Sequence, residues 1–178
     1  MKNKRLKKVT VTAIMAALAT VLMFIETPLP LFPPFLKLDI SDLPAVICAF
    51  AIGPLWGVLV ELIKNLVHMT STQTALVGET ANFIVGASFT LCAGIIYKKR
   101  HTKKGAVVGL AAGILSMALA GVVANYLILL PLYSPNLPEA EKASLVFYGI
   151  TPFNLLKGVI LSAITLFIYK PLSSILHR

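Results

Sequence analysis

Apolar residues run along this chain in long stretches that short polar or basic segments separate. Four stretches are clear, at residues 9–27, 79–97, 105–130 and 149–169. A helix needs about 20 predominantly apolar residues to cross the hydrocarbon core of a bilayer. The pattern therefore predicts an all-α integral membrane protein. No soluble module interrupts the stretches, so we expect one membrane domain over residues 1–178.

The segment 43–69, "LPAVICAFAIGPLWGVLVELIKNLVHM", permits two interpretations. As one helix it gives five spans, and as two helices it gives six. Gly53 favours a break and Pro54 removes a backbone donor, so a split between them has a local cause. The split predicts spans at 43–52 and 54–69. The first of these is short for a full crossing, and we expect it to be tilted or shielded by its neighbours.

The placement of positive charge decides between the two helix counts. The formal net charge is +9, and twelve of the sixteen lysines and arginines lie in three segments. They are Lys2, Lys4, Arg5, Lys7 and Lys8, then Lys98, Lys99, Arg100, Lys103 and Lys104, and finally Lys170 and Arg178. Cytoplasmic loops of membrane proteins carry such an excess, and only six spans put all three segments on one side. We therefore predict six spans with both termini in the cytoplasm, and no nucleic-acid partner.

Composition agrees with this class. The chain is 57% hydrophobic with a mean hydropathy of +0.86, and 13% of its residues are charged. Soluble domains contain roughly a quarter charged residues, so a soluble protein is excluded.

Polar residues inside the spans gather at one depth. At 1.5 Å per residue, Asn154 lies roughly 8 Å inside the outer end of the last span and Lys157 about 12 Å. The other such residues in the outer halves of their spans are Glu61, Lys64, Asn65, His68, Glu79, Asn82 and Asn125. Unpaired polar groups are costly in hydrocarbon, and ionisable ones usually mark a site. The shared depth predicts a pocket open to the outside.

The outer loops frame this pocket. Residues 28–42, "PLPLFPPFLKLDISD", predict a folded loop or short hairpin that lies over the helix ends. Residues 70–78 predict a polar turn, and residues 131–148 a further outer loop.

Structural roles for the same polar residues stay open. Asn125 could make a hydrogen bond between helices, as polar residues in membrane bundles do. Lys157 could pair with Glu79 or Glu61, and Lys64 could extend to the interface.

Small residues mark the first helix. "TAIMAALAT" places Ala13 and Ala17 four residues apart, a spacing that lets another helix approach closely. Gly105, Gly109 and Gly113 repeat the spacing in the fifth span. Either stripe fits tight packing within the bundle or docking to a partner protein.

Sequence motifs of catalysis are missing. The chain has no G-x-x-x-x-G-K-[ST] phosphate loop, no H-E-x-x-H and no G-x-S-x-G. Its histidines, cysteines and carboxylates lack metal-ligand spacing. We therefore expect no catalytic residues, no metal and no cofactor, and any energy for transport must come from elsewhere.

Three segments carry a family resemblance, namely "FLKLDISDLPAVICAFAIGPLWGVLVELIKN", "GETANFIVG" and "TPFNLLKG". They resemble the riboflavin-specific S components of energy-coupling factor (ECF) transporters. The resemblance covers nearly the whole chain, and its most specific parts are the L-D-[IF]-S-D-[LV]-P block and the N-x-x-K of the last helix.

The resemblance implies a six-transmembrane-helix bundle of the ECF S-component type, with the first outer loop lidding an outward-facing pocket. It implies a transmembrane T component and two ATPase subunits as partners, with Ala13 and Ala17 touching the T component. The chain would not be an enzyme, and riboflavin would be its transported ligand. The S component would topple in the membrane lipid to carry the vitamin inward.

The resemblance also implies which residues bind riboflavin. In the first outer loop they are Leu36, Lys37, Leu38, Asp39 and Ser41, and in the helices Glu79, Asn125, Asn154 and Lys157.

The chemistry of the vitamin fits these residues. Its pyrimidine edge alternates donors and acceptors, which an asparagine amide can match. Its dimethylbenzene end needs an apolar slot, which Leu38, Ile40 and Phe83 offer. Its ribityl hydroxyls could bond to Lys157, Asn154 and Glu79. Other interpretations stay open, namely an S component for another vitamin, a small intramembrane enzyme or a structural membrane subunit.

Overall fold

The computed structural model describes residues 2–71 and 76–176, and this part of the chain folds into six helices. They are α1 (Lys2–Met23), α2 (Asp42–Ile52), α3 (Pro54–His68), α4 (Val77–Lys99), α5 (Lys103–Tyr133) and α6 (residues 139–176). The six-helix prediction is confirmed. Residues 72–75 of the predicted polar turn, and Arg178, lie outside the described residues.

The helix break at Gly53 decides the count. Gly53 has φ 122°, a left-handed conformation that glycine adopts without steric cost, and Pro54 starts α3. The short α2 packs against α1, α3, α4 and α6, which shield it as expected. Four helices among the described residues are long and apolar enough to cross a membrane, namely α1, α4, α5 and α6.

The last two helices extend beyond their expected ends. The sequence predicts an outer loop at 131–148, but only residues 134–138 lie between α5 and α6. Each helix contains a wide π turn, at Asn125–Leu129 in α5 and Leu145–Ile150 in α6. Pro131 has no backbone N–H, and α5 continues past it directly after the first π turn. Such turns occur often at functional sites.

The first outer loop contains the expected hairpin. Strands β1 (Thr27–Pro28) and β2 (Lys37–Leu38) pair antiparallel. An ion pair between Lys37 and Glu26 lies beside this pairing. The loop also contacts α6, because the Phe32 ring meets the Phe153 ring edge-on at 5.4 Å. These contacts hold the loop over one end of the bundle.

The core of the bundle is apolar and closely packed. Phe50 of α2 stacks on Tyr97 of α4, with ring centroids 4.2 Å apart. On the other side of α2, helix α1 packs through small buried residues, including Ala16 and Ala19. Gly109 approaches α4 so closely that a Cβ there would lie 2.8 Å from the Ala93 carbonyl oxygen. Small residues thus bring these backbones together.

The first two basic segments gather at one end of the bundle. Thr12 lies level with Cys48, their Oγ and Sγ atoms 3.9 Å apart, so the N-terminal turns of α1 are at the end where α2 stops. Gly94 lies against Pro54, so Lys98 to Lys104 are at that end too. Helix α4 has 23 residues and is roughly 35 Å long, which separates this basic end from the residues at its start.

Candidate functional site

A cavity of about 230 Å³ lies at the end of the bundle opposite the basic segments. Its walls are the first outer loop, the start of α4, the end of α5 and the start of α6. Both π turns contribute to it, through Asn125 and Leu129 in α5 and through Leu145 and Ile150 in α6. The extra residue of a π turn thus shapes the walls of the cavity.

Half of the residues expected at the site line this cavity. They are Leu36, Lys37, Asn125, Asn154 and Lys157. These residues come from the loop, α5 and α6, so the fold brings together groups that lie far apart in sequence.

Helix α4 presents a different face to the cavity from the one expected. The lining residues of α4 are Val77, Gly78, Ala81, Asn82 and Val85, which lie along one side of the helix. Glu79 and Phe83 are not among the lining residues, because they lie on the adjacent face. Glu79 instead contacts His68 of α3, Oε1 to Nδ1 at 3.1 Å.

Asn82 is an amide in the cavity lining that the expected set of binding residues omits. The sequence places Asn82 at the depth of the cavity. Depth alone does not show that Asn82, rather than the next residue Phe83, faces the cavity. The spacing of Asn82 from Gly78 and Val85 could have identified it as a lining residue, because all three lie on one side of the helix.

Four loop residues expected at the site also lie away from the lining. Leu38 and Ile40 are half-buried, and Ile40 packs against the main core. Asp39 and Ser41 turn into the bundle, where the Asp39 carboxylate accepts hydrogen bonds from the Ser41 backbone N–H at 2.8 Å and from its hydroxyl. The apolar slot is formed by other residues, among them Val77, Leu130 and Phe153.

Five buried charged side chains lie beside the cavity. We call Asp39, Asp42, Glu61, Lys64 and Lys157 the charge cluster. Lys157 contacts Asp39 Oδ2 at 3.0 Å and Asp42 Oδ2 at 3.1 Å. Lys64 pairs with Asp42 and with Glu61 Oε2, the latter at 2.8 Å, and donates to the Ser41 hydroxyl at 2.7 Å. Lys64 is fully buried, so it does not extend to the interface.

The cluster ties the loop to the bundle. Lys157 of α6 pairs with the loop residue Asp39 rather than with Glu79 or Glu61. Burial alone would raise the pKa of the Asp39 carboxyl, but the ammonium groups of Lys157 and Lys64 hold that pKa below its ordinary value. Lys157 is the cluster member that also lines the cavity, so it joins the ion pairs to the ligand space.

The two expected asparagines meet at Gly121. The Asn125 amide donates from Nδ2 to the Gly121 carbonyl oxygen at 2.8 Å, within its own helix rather than across to another. The Asn154 amide approaches the same glycine from α6: a Cβ on Gly121 would lie 2.3 Å from Nδ2 of Asn154. Glycine is therefore required here for the two amides to converge.

The arrangement suits binding rather than chemistry. Apolar walls carry a few amides and one ammonium group, a composition typical of small-molecule sites. In the described part of the chain, no group of three or more histidines, cysteines and carboxylates could hold a metal ion. A flat, uncharged molecule with several hydrogen-bonding groups matches such walls.

Comparison with known proteins adds the family. A family model described as "ECF transporter, substrate-specific component" matches residues 7–169. The "Riboflavin transporter RibU" of Staphylococcus aureus (strain TCH60) is 38% identical over 181 residues, covering 99% of this chain and 94% of that protein. The "Riboflavin transporter FmnP" of Bacillus subtilis (strain 168) is 36% identical over 168 residues, covering 90% and 88%.

Solved structures resemble the fold. One described as "Structure and mechanism of the S component of a bacterial ECF transporter" superimposes with a TM-score of 0.85 at 37% identity, covering 98% of this chain and 99% of that one. ThiT from Listeria monocytogenes superimposes with a TM-score of 0.64 at 18% identity, covering 96% and 98%. The second likeness is one of fold alone.

Proposed function

The chain belongs to the substrate-specific components of ECF transporters, and we propose that it is a riboflavin-binding subunit that delivers this vitamin inward across the cell membrane. It is not an enzyme, and riboflavin is its cargo rather than a cofactor. The observation that carries the proposal is the cavity, where amides and one ammonium group line otherwise apolar walls in a chain 38% identical to a riboflavin transporter.

Riboflavin matches the chemistry of these walls. Its flat ring system fits between the apolar residues of α4, α5 and α6, such as Val77, Leu129 and Phe153. Its pyrimidine edge alternates donors and acceptors, which the asparagine amides complement. Its ribityl hydroxyls find a charged donor in Lys157. Buried polar groups left unpaired by a wrong ligand cost free energy, so the site should reject molecules that lack the matching edge.

The predicted topology gives the direction of binding. The first two basic segments lie at the bundle end opposite the cavity, and basic segments favour the cytoplasmic side. We place both termini in the cytoplasm and the cavity toward the outside. The hairpin loop then forms the outer lid, held by the Lys157–Asp39 pair and by the contact of Phe32 with Phe153.

The partners follow from the family. An ECF module with a transmembrane T component and two ATPase subunits would supply the energy for transport. Ala13 and Ala17 are exposed on α1, whereas Ala16 and Ala19 of the same helix are buried in the bundle. Small exposed residues at this spacing let a partner helix approach closely, so we assign Ala13 and Ala17 to the T-component contact.

The binding proposal has a direct test. The purified protein should carry a yellow flavin, and riboflavin fluorescence should be quenched on titration into ligand-free protein. The mass of the extracted ligand identifies it. A colourless protein with no affinity for riboflavin, but with affinity for thiamin, biotin or folate in the same panel, would remove the substrate while leaving the family.

Gly121 provides a test of the site geometry. Gly121→Ala should weaken riboflavin binding at least tenfold, on the order of 1.4 kcal/mol, because the added Cβ displaces the Asn154 amide. In the Asn154→Ala background the same substitution should cost little. Gly149→Ala is the matched control, since a Cβ there makes only ordinary contacts, the nearest at 3.4 Å to Pro33. Equal affinities of Gly121→Ala and Gly149→Ala would refute this geometry.

A further inference from the structure

Asn82 holds an unsatisfied amide in the wall of the cavity. Its side-chain oxygen Oδ1 is buried and has no hydrogen-bond partner among the described residues. Buried polar atoms in proteins are nearly always hydrogen-bonded, and an unpaired one costs free energy. Asn82 lines the cavity, but its Oδ1 is turned away from the open space, so the amide must rotate toward the cavity to accept a hydrogen bond from a ligand.

The position of Asn82 brings it near the two expected amides. Val85 lies one turn further along the same face of α4. A Cβ on Gly121 would lie 3.7 Å from Val85 Cγ2 and 2.3 Å from Nδ2 of Asn154. Asn82 therefore stands one helical turn from the point where α4, α5 and α6 meet.

The neighbours of Asn82 decide which part of the ligand it meets. The other lining residues of α4 are small or apolar, namely Val77, Gly78, Ala81 and Val85. This wall suits the flat ring system rather than the hydroxyl-rich ribityl chain, for which Lys157 on α6 offers a charged donor. The ring system of riboflavin carries a single N–H donor, the imide of its pyrimidine ring.

We propose that Asn82 is a third ligand-binding amide, whose side-chain oxygen accepts a hydrogen bond from the imide N–H of the flavin ring. The inference rests on the proposed function and names a specificity determinant within the same site. Asn82 thereby selects ligands that present a donor at this edge. The Asn82 oxygen has no hydrogen bond in the ligand-free protein and gains one only in the complex with the ligand.

Removing the Asn82 amide is therefore expected to have opposite effects on the stability of the ligand-free protein and on riboflavin binding. Asn82→Leu replaces the amide by an apolar group of similar size, so the ligand-free protein should unfold at an unchanged or higher temperature. Its dissociation constant for riboflavin should rise at least tenfold. A merely structural asparagine would instead lower the unfolding temperature without changing affinity in the folded fraction, which would overturn the proposal.

A ligand analogue separates the hydrogen bond from general packing. 3-Methylriboflavin lacks the imide N–H, and the wild-type protein should bind it at least tenfold more weakly than riboflavin. Asn82→Ala leaves room for the methyl group and removes the acceptor, so it should bind the two ligands within about threefold of each other. Undiminished discrimination in Asn82→Ala would overturn the proposal.

The matched control is Asn65 of α3. Its Oδ1 is also buried without a hydrogen-bond partner among the described residues, but Asn65 does not line the cavity. Asn65→Leu should therefore leave the preference for riboflavin over the methyl analogue intact. A wild-type protein without affinity for riboflavin would overturn the proposed function itself. Wild-type binding with full discrimination in Asn82→Ala overturns only the role of Asn82.

Discussion

Lys157→Met is expected to abolish high-affinity riboflavin binding and to destabilise the bundle at once. The ammonium group contacts Asp39 at 3.0 Å and Asp42 at 3.1 Å, and all three side chains are buried. Removing one partner of a buried ion pair leaves uncompensated charge and typically costs about 3–5 kcal/mol. Lys157 also lines the cavity, so binding should weaken at least tenfold. Thermal unfolding of ligand-free protein and fluorescence titration measure the two effects separately.

Two further variants distinguish the causes. Lys142→Met is the matched control, because Lys142 is also buried but pairs with Glu139, whose side chain is 71% exposed. It should cost less than about 1 kcal/mol, as exposed pairs do. Adding Asp39→Asn to Lys157→Met should restore part of the lost stability without restoring affinity. Wild-type affinity in Lys157→Met would show that this lysine serves the fold alone.

Ala13→Trp is expected to block riboflavin uptake while leaving riboflavin binding unchanged. Ala13 is exposed near the middle of α1, at the level of Thr12 and Cys48, and it does not line the cavity. A large ring there would hold a partner helix away from α1, since close approach requires small residues. Uptake by cells that express the full ECF module measures docking, and titration of the purified variant measures binding.

The control for this variant is a tryptophan on another helix. Leu119 of α5 is 65% exposed, so Leu119→Trp adds the same bulk to a different exposed face. It should support uptake at close to the wild-type rate. If Ala13→Trp also transports normally, the docking surface lies elsewhere, and the pair Ala13 and Ala17 only contributes to the surface of the bundle.

The sequence did not predict which face of a helix lines the cavity. Depth placed Glu79 and Asn82 near the start of α4, because depth depends only on the rise per residue. Which of them lines the cavity depends on the rotation of α4 about its axis. That rotation is set by packing against α2, α3 and α5, and Gly86 gives space to Glu61 of α3 and Asp42 of α2. No pattern within α4 alone carries this information.

For the charge cluster, the sequence likewise showed that ion-pair partners were needed but not which residues they are. The sequence indicated that Lys64 and Lys157 needed partners in the membrane, since an unpaired ammonium group is costly there. It did not identify the partners. Asp39 lies in a loop and Asp42 at the start of a helix, and from the sequence alone both positions look exposed to solvent. Only the folding of the first outer loop over the bundle buries these carboxylates beside both lysines.

By itself, the sequence determined the membrane class, the six helices and the depth of the polar groups. Those properties follow from hydrophobic length, from the Gly53–Pro54 break and from the rise of a helix, all of which are local. The tertiary structure alone decided which faces meet, namely Asn154 against Gly121, Lys157 between two loop carboxylates and Asn82 in the cavity wall. Side chains distant along the chain meet only once the helices have packed and fixed their rotations.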